Sequence, residues 1–264
     1  MLSQIQGHLS GHPWSDKIHY FPTIDSTNLY AARLAESGAP HGTIVIADRQ
    51  TAGKGRMGRS FSSPAGMGVY LSCILRPHCR PNELMHLTCA AAVAAMEAVA
   101  LSSGIRPGIK WTNDLVIGKR KLGGILTSLS IDPNSGLVSS AIIGIGINCR
   151  QQAEDFPEEI RSIACSLAMH GTTPDRSVLA AALIRQLETI SCNLWNQKEA
   201  ILNTYKANCI TIGQEISWQK GVEIYHGTAI DLDSDGGLVI RLPDGKKQTV
   251  AFGEVSIRGM YGYL

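Results

Sequence analysis

The chain has 264 residues, 44% hydrophobic and 17% charged, with a formal net charge of +2. That apolar content excludes a disordered chain, and so small a net charge gives no global reason to expect DNA or an anionic membrane as partner. Its 7 cysteines are scattered from Cys73 to Cys209 without a C-x-x-C pair, which argues for reduced thiols over a disulfide framework or zinc knuckle.

The opening MLSQIQGHLSGH has no basic segment followed by an apolar run, so it does not read as a signal peptide. Residues 1–17 read as a loose lead-in. Gly7 and Gly11 disfavour a helix there, which puts His8 and His12 on a mobile tail rather than at a metal. IHYFPTI (18–24) reads as a strand. DSTNLYAARLAESG reads as a helix capped by Ser26 or Thr27, with Leu29, Ala32 and Leu34 as its apolar stripe and Gly38 at its end. GTIVIADRQ (42–50) and GVYLSCIL (68–75) are strands on either side of a glycine loop. An alanine-rich helix runs from about Pro81 to Leu101; its Glu97 and its many alanines do not suit a membrane span. GIKWTNDLVIG and KLGGILTSLS read as short strands around a turn, and LVSSAIIGIGIN (137–148) as a buried strand. AEDFPEEIR (153–161) reads as a solvated face, followed by helices over 177–192 and 197–207. His78, Cys79 and His86 show no ligand spacing, and Met96, Trp195 and Trp218 read as core. After Cys209 the pattern changes to alternating apolar residues with turns at DSDGG and PDG, the texture of a small SH3-like β-barrel. The expected architecture is α+β: a lead-in (1–17), a large mixed-sheet domain with flanking helices (18–209) and a small all-β domain (210–264).

The glycine loop TAGKGRMGRSF (51–61) fits two patterns at once. Gly53, Gly55 and Gly58 spell G-x-G-x-x-G, and Gly53 to Ser60 nearly spell a Walker loop with Arg59 in place of lysine. Both patterns need a helix opening on the last glycine. Here Ser62, Ser63, Pro64, Gly66 and Gly68 follow, which read as loop and then strand, so both are rejected. Three glycines alternating with Lys54, Arg56 and Arg59 instead suit a flap that lets backbone approach an anionic ligand while arginines clamp its oxygens. A solvated basic loop is the plainer alternative.

A second dense stretch is KWTNDLVIGKRKLGGIL (110–126). Lys110, Asn113 and Asp114 sit at a turn. Lys121 lies inside an apolar strand, either snorkelling at an edge or held toward a ligand, and Gly123 and Gly124 after it leave room for one.

Together TAGKGRMGRSF, KWTNDLVIGKRKLGGIL, GIGINC and the early DSTN, in that order, resemble biotin protein ligases (biotin–acetyl-CoA-carboxylase ligases). The resemblance is close over roughly residues 18–150, and the β-rich tail is similar to the family's small SH3-like domain. It implies a class II synthetase-like catalytic domain that uses ATP, with Mg²⁺ travelling on the nucleotide, to make biotinoyl-5′-AMP. The biotinyl group then passes to a lysine of a biotin carboxyl carrier protein or domain. The resemblance implies Lys121 at the biotin carboxylate and α-phosphate, Arg56 clamping the same oxygens, and Asp114 orienting the incoming amine or the metal. It implies Ser26, Thr27, Asn28 and Gln50 around biotin's ureido ring, with Lys54, Gly55, Gly123 and Gly124 also on the biotin side. On the nucleotide side it implies Arg59, Phe61 over the adenine, Asn113 and Asn148. A buried polar ring needs fixed partners, since each unmet one costs about 1–3 kcal/mol. Structural alternatives stay open: Ser26-Thr27-Asn28 as a helix cap, GIGIN as a tight strand end, Asp114 as half of a turn pair.

Thr112 stands where proline is usual in the family's KWPND, Phe61 where tryptophan is frequent, and Lys54 where arginine is; none of these changes removes a charge or a glycine. About 17 residues precede the first strand, so the expectation is a ligase without the DNA-binding domain that some members carry. It is expected in the cytoplasm, with no membrane partner, and a homodimer through a sheet edge is possible. The rivals are a lipoate or octanoyl ligase or transferase, in which a loop of three cations is not expected, and a non-catalytic biotin sensor, which would not need Lys121 and Arg56.

Overall fold

The β-branched runs of the sequence assemble into two sheets. The computed structural model describes residues 1–220, 223–251 and 257–259. The large sheet contains β1 (Ile18–Ile24), β2 (Thr43–Gln50), β3 (Gly68–Leu75), β4 (Gly108–Lys110), β5 (Asp114–Ile117), β6 (Arg120–Ile131) and β7 (Val138–Asn148). Their order is β1-β2-β3-β7-β6-β5-β4, with β1 and β2 parallel and the other pairs antiparallel.

The period-2 alternation of the strands divides the apolar side chains between two layers. Ile44 and Ile46 of β2 join the main core, while Val45 between them joins a smaller cluster on the other face. Over the main face lie α3 (Leu87–Ser103) and α5 (Arg176–Asn193), which pack on each other, with α1 (Leu2–His8) against α5 and α6 (Lys198–Ala207) against α3. The stretch Pro81–Ser103 is long and apolar enough to cross a bilayer, but 78% of its most apolar window is buried here, so it serves as the central core helix. The other face carries α2 (Thr27–Glu36), packed on β2, β3 and β7. The short α4 (Glu158–Arg161) lies in the connection from β7 to α5.

The C-terminal region forms a five-stranded antiparallel sheet of β8 (Glu215–Lys220), β9 (Glu223–Leu232), β10 (Leu238–Arg241), β11 (Lys247–Val250) and β12 (Ile257–Gly259), in the order β11-β10-β9-β8-β12. Among the described residues β11 and β12 are not paired with each other. Trp218 is buried and stacks on Tyr225 at 5.5 Å, and Ile216, Trp218, Ala229 and Leu238 join the same core cluster as the large sheet. Residues 252–256 and 260–264, within the expected all-β tail, lie outside the described residues.

Three sequence expectations need correction. Residues 1–17 are not a loose lead-in. Ile5 and Leu9, four apart, share one face of α1 and its end, and they enter the core with Trp14. Gly7 is tolerated on the exposed side, and His12 accepts a hydrogen bond from Trp14 N. In α2 the deepest residues are Thr27, Ala31 and Ala35, not Leu29, Ala32 and Leu34, because the helix lies close enough to the sheet for small side chains to face it. Trp195 is 43% exposed; its neighbour Leu194 takes the inward position, and His86 bonds the Leu194 carbonyl.

Candidate active site

Two cavities open beside α2 and the glycine loop. The first is lined by Ser26, Thr27, Asn28, Gln50, Lys54, Gly55, Arg56, Lys121 and Gly124 of the expected biotin-side residues. Ser26 occupies the N-cap position of α2 but makes no side-chain capping bond, so its buried hydroxyl belongs to the cavity rather than to the helix end. Phe61, Asn113, Ile125, Leu126, Gly144, Ile145 and Gly146 complete the lining.

The polar end of this cavity is a connected network. Gln50 Oε1 accepts from Thr27 N at 2.8 Å and from Thr27 Oγ1 at 3.1 Å, while Gln50 Nε2 donates to Ser63 Oγ at 2.8 Å. The fully buried Ser72 hydroxyl donates its one hydrogen to Asn28 Oδ1 at 2.6 Å and lies 2.8 Å from the Thr27 hydroxyl. Asn28 Nδ2 donates to Leu126 O at 3.3 Å. Each amide oxygen accepts from a protein donor, and each amide nitrogen has a second hydrogen, so this end can donate to a ligand that presents a carbonyl acceptor. Sequence reasoning missed Ser72 and Ser63. The signal for Ser72 was present: one serine among the apolar and aromatic side chains of the buried strand GVYLSCIL.

The glycines of GIGIN are part of the site. A Cβ on Gly144 would lie 1.9 Å from Asn28 Oδ1, and one on Gly146 would lie 2.5 Å from the Phe61 ring. Gly123 does not line the cavity. A Cβ there would meet the Gly146 carbonyl at 2.4 Å, so that glycine serves the close approach of β6 to β7 rather than leaving room for a ligand. Gly124 does face the site, its Cβ position 3.3 Å from Lys121 Nζ.

Lys121 reaches this face through a β-bulge. Asp114 pairs with Gly124 and Leu115 with Gly123, but Val116 pairs with Lys121, so Leu122 is the extra residue on β6. Strict alternation would put residues 121 and 124 on opposite faces; the bulge re-aims Lys121 to join Gly124 and Asp114. Lys121 Nζ pairs with Asp114 Oδ1 at 2.6 Å. Its backbone is pinned from the other side, where Lys121 N donates to Ile163 O and Cys165 N donates to Lys121 O.

The glycine loop is a narrow hairpin. Gln50 bridges Ser63 and Lys54 bridges Ser60, Gly55 N donates to Arg59 O at 2.7 Å, and Met57 and Gly58 form the tip with φ of 56° and 73°. No helix opens on the last glycine, in line with rejection of both glycine motifs. Arg56 turns inward, and its Nη1 donates to Thr112 Oγ1 at 2.8 Å and Asn113 Oδ1 at 3.0 Å. Burial pulls its guanidinium below its ordinary value, with Asp114 opposing that and Arg59 adding to it; from so high a start it stays charged.

The second cavity is lined by Arg56, Arg59, Phe61, Asn113, Asp114, Lys121 and Asn148, all expected on the nucleotide side or at the reacting centre. Both polar ends of Asn148 also brace the fold: Nδ2 donates to Cys165 O and Oδ1 accepts from Gln151 Nε2. Lys110, Trp111, Phe156, Ile160 and Ile163 line this cavity too. The stretch 153–161 is therefore not simply a solvated face. Its carboxylates point outward, but Phe156 is buried and Ile160 half-buried against the cavity. The two cavities share Gly55, Arg56, Phe61, Asn113 and Lys121. Phe61 thus stands at their junction rather than on the nucleotide side alone.

Residues 20–148 match the model of the Biotin/lipoate A/B protein ligase family, and residues 211–258 match the biotin protein ligase C terminal domain. The "Bifunctional ligase/repressor BirA" of Bacillus subtilis is 35% identical over 248 residues, covering 93% of this chain and 76% of that protein. The "Biotin--[acetyl-CoA-carboxylase] ligase" of Mycobacterium tuberculosis is 32% identical, covering 87% of this chain and 85% of that one. Among solved structures, the biotin protein ligase from Aquifex aeolicus in complex with biotin and ATP matches with a TM-score of 0.77 and 28% identity, over 92% of this chain and 98% of that chain. With such likeness along nearly the whole chain, and with two cavities meeting at an inward arginine and lysine, the chain belongs to the biotin/lipoate A/B protein ligase family and, within it, to the biotin protein ligases.

Proposed function

We propose that the first cavity takes biotin, the second takes ATP, and Lys121 and Arg56 act at the seam between them. The protein is an ATP-dependent biotin ligase. A biotin carboxylate oxygen attacks the α-phosphorus of ATP, forming biotinoyl-5′-AMP as pyrophosphate leaves. A lysine amine of a carrier protein then attacks the acyl carbon, forming the amide as AMP leaves. The observation that carries the assignment of residues is the seam, five residues lining both cavities.

The first step brings two anions together. Lys121 and Arg56 stand where the cavities meet and offset that repulsion, then hold the charge that develops on the phosphoryl oxygens. Asp114, paired with Lys121 at 2.6 Å, holds the ammonium in place and is positioned to accept a proton from the incoming amine. Gln50 and Asn28, whose amide oxygens accept from Thr27 and Ser72, offer N–H donors to the ureido carbonyl. Trp111, Phe156, Ile160 and Ile163 give the second cavity an apolar wall for a planar base, with the Phe61 ring at its inner edge.

The described residues hold no group of three His, Cys, Asp or Glu side chains that could cage a metal, and Asp114 is already paired with Lys121. Mg²⁺ bound to the ATP phosphates would offset part of their charge. The acceptor proposed is a biotin carboxyl carrier domain, and the compartment proposed is the cytoplasm, where ATP is available and the chain's free cysteines stay reduced.

The test is ATP–pyrophosphate exchange by the purified protein with biotin or with lipoate. Exchange with biotin and not with lipoate is expected. Exchange with lipoate, or biotin binding without exchange, would overturn the assignment of substrate or of chemistry respectively.

A further inference from the structure

We propose that Thr112 is a positioning residue that docks the glycine loop through Arg56. Thr112 is 2% exposed, at the turn between β4 and β5, and its backbone is held from behind by the fully buried Tyr205, whose hydroxyl donates to Thr112 O at 3.0 Å. From this anchored position the Thr112 hydroxyl accepts one hydrogen of Arg56 Nη1 at 2.8 Å, while Asn113 Oδ1 accepts at 3.0 Å. Nη1 carries two hydrogens, and these two oxygens account for both. The two acceptors thus orient the Arg56 guanidinium at the seam.

The contact joins distant parts of the chain. Arg56 sits beside an exposed hairpin tip, and the Thr112 and Asn113 acceptors tie that tip to the floor of the site. A proline side chain at position 112 would supply no such acceptor. The docked loop of this chain accordingly gains one tie, the Thr112 hydroxyl, beside that of Asn113. Thr112 acts on the reaction through Arg56, by retaining the adenylate, and this consequence rests on the ligase assignment.

The experiment compares wild type with Thr112→Val, Thr112→Ser, Arg56→Ala and the double variant Arg56→Ala/Thr112→Val. Two readouts are taken: trypsin cleavage within residues 54–59 of the protein alone, and release of preformed biotinoyl-adenylate. A hydrogen bond to a charged group is large enough that Thr112→Val should accelerate adenylate release about tenfold. Loop cleavage should rise in parallel, Thr112→Ser should restore both to near wild type, and the valine change should add nothing to adenylate release once Arg56 is alanine. Equal behaviour of Thr112→Val and wild type in both readouts would overturn the proposal. So would a defect shared by the serine variant, or one that persists undiminished in the Arg56→Ala background. If the wild-type protein formed no adenylate, the ligase assignment would fail, and the cleavage comparison alone would still decide whether Thr112 docks the loop.

Discussion

The glycine loop and the strand pair β6–β7 hold site residues in opposite ways. In β7 the backbone of residues 141–147 is set by ladders to β3 on one side and β6 on the other, and most of the strand's side chains are buried. In the loop, Lys54, Met57, Gly58, Arg59 and Ser60 are exposed, and Arg56 keeps its inward place through side-chain acceptors on the β4–β5 turn. The floor fixes shape by main-chain register, so it is intolerant of even a methyl group. The loop fixes charge by contacts that can form and break, so its defects should appear as lost retention rather than lost shape.

The comparison breaks most sharply at the floor. Gly144→Ala forces a Cβ into the Asn28 side chain. Overpacking of that kind costs about 1–3 kcal/mol, or about 10–100-fold in biotin affinity by calorimetric titration. Unchanged affinity would mean that Asn28 can move without consequence. Arg56→Gly should still form adenylate, yet release it about tenfold faster, since it removes charge-assisted hydrogen bonds to the ligand. Biotin labelling of bystander lysines reports this; labelling confined to the carrier would count against clamping by the loop. Asp114→Asn keeps a hydrogen-bond acceptor beside Lys121 but removes its charge, and should slow transfer to the acceptor lysine several-fold, roughly 1 kcal/mol, in a single-turnover assay from isolated adenylate. An unchanged rate would leave Asp114 a structural partner only. The smallest effect is expected far from both regions: Trp195→Ala, at an exposed side chain, should shift stability by about 0.5 kcal/mol or less in a denaturant titration.

Much of this contrast was legible in the sequence, because the loop and the strands carry different signals. Alternating glycine and cation in residues 53–59 pointed to a flap over an anion, and the absence of helix signals after it excluded both glycine motifs. The large sheet was readable from its β-branched runs. The face of Lys121 was not readable: alternation assigns it the side opposite Gly124, and only the bulge at Leu122, a property of the β5–β6 register, reverses that. Gly123 and Gly124 looked equivalent, yet one serves strand approach and the other the cavity. The small face of α2 and the buried Ile5, Leu9 and Trp14 depend on tertiary packing that propensity does not encode. Phe156 and Ile160 were hidden by the acidic residues around them, whose outward direction is a property of the folded segment.

The seam between the cavities carries the central claim, and Lys121 is the residue that tests it. Single-turnover formation of labelled adenylate from biotin and ATP should be measured for wild type and Lys121→Met, with biotin binding measured in parallel. Loss of one preorganised charge at the reacting centre is expected to slow adenylation by about 10²–10³-fold while the folded protein still binds biotin. Adenylate formed at the wild-type rate by Lys121→Met would contradict the assignment of charge stabilisation to this lysine.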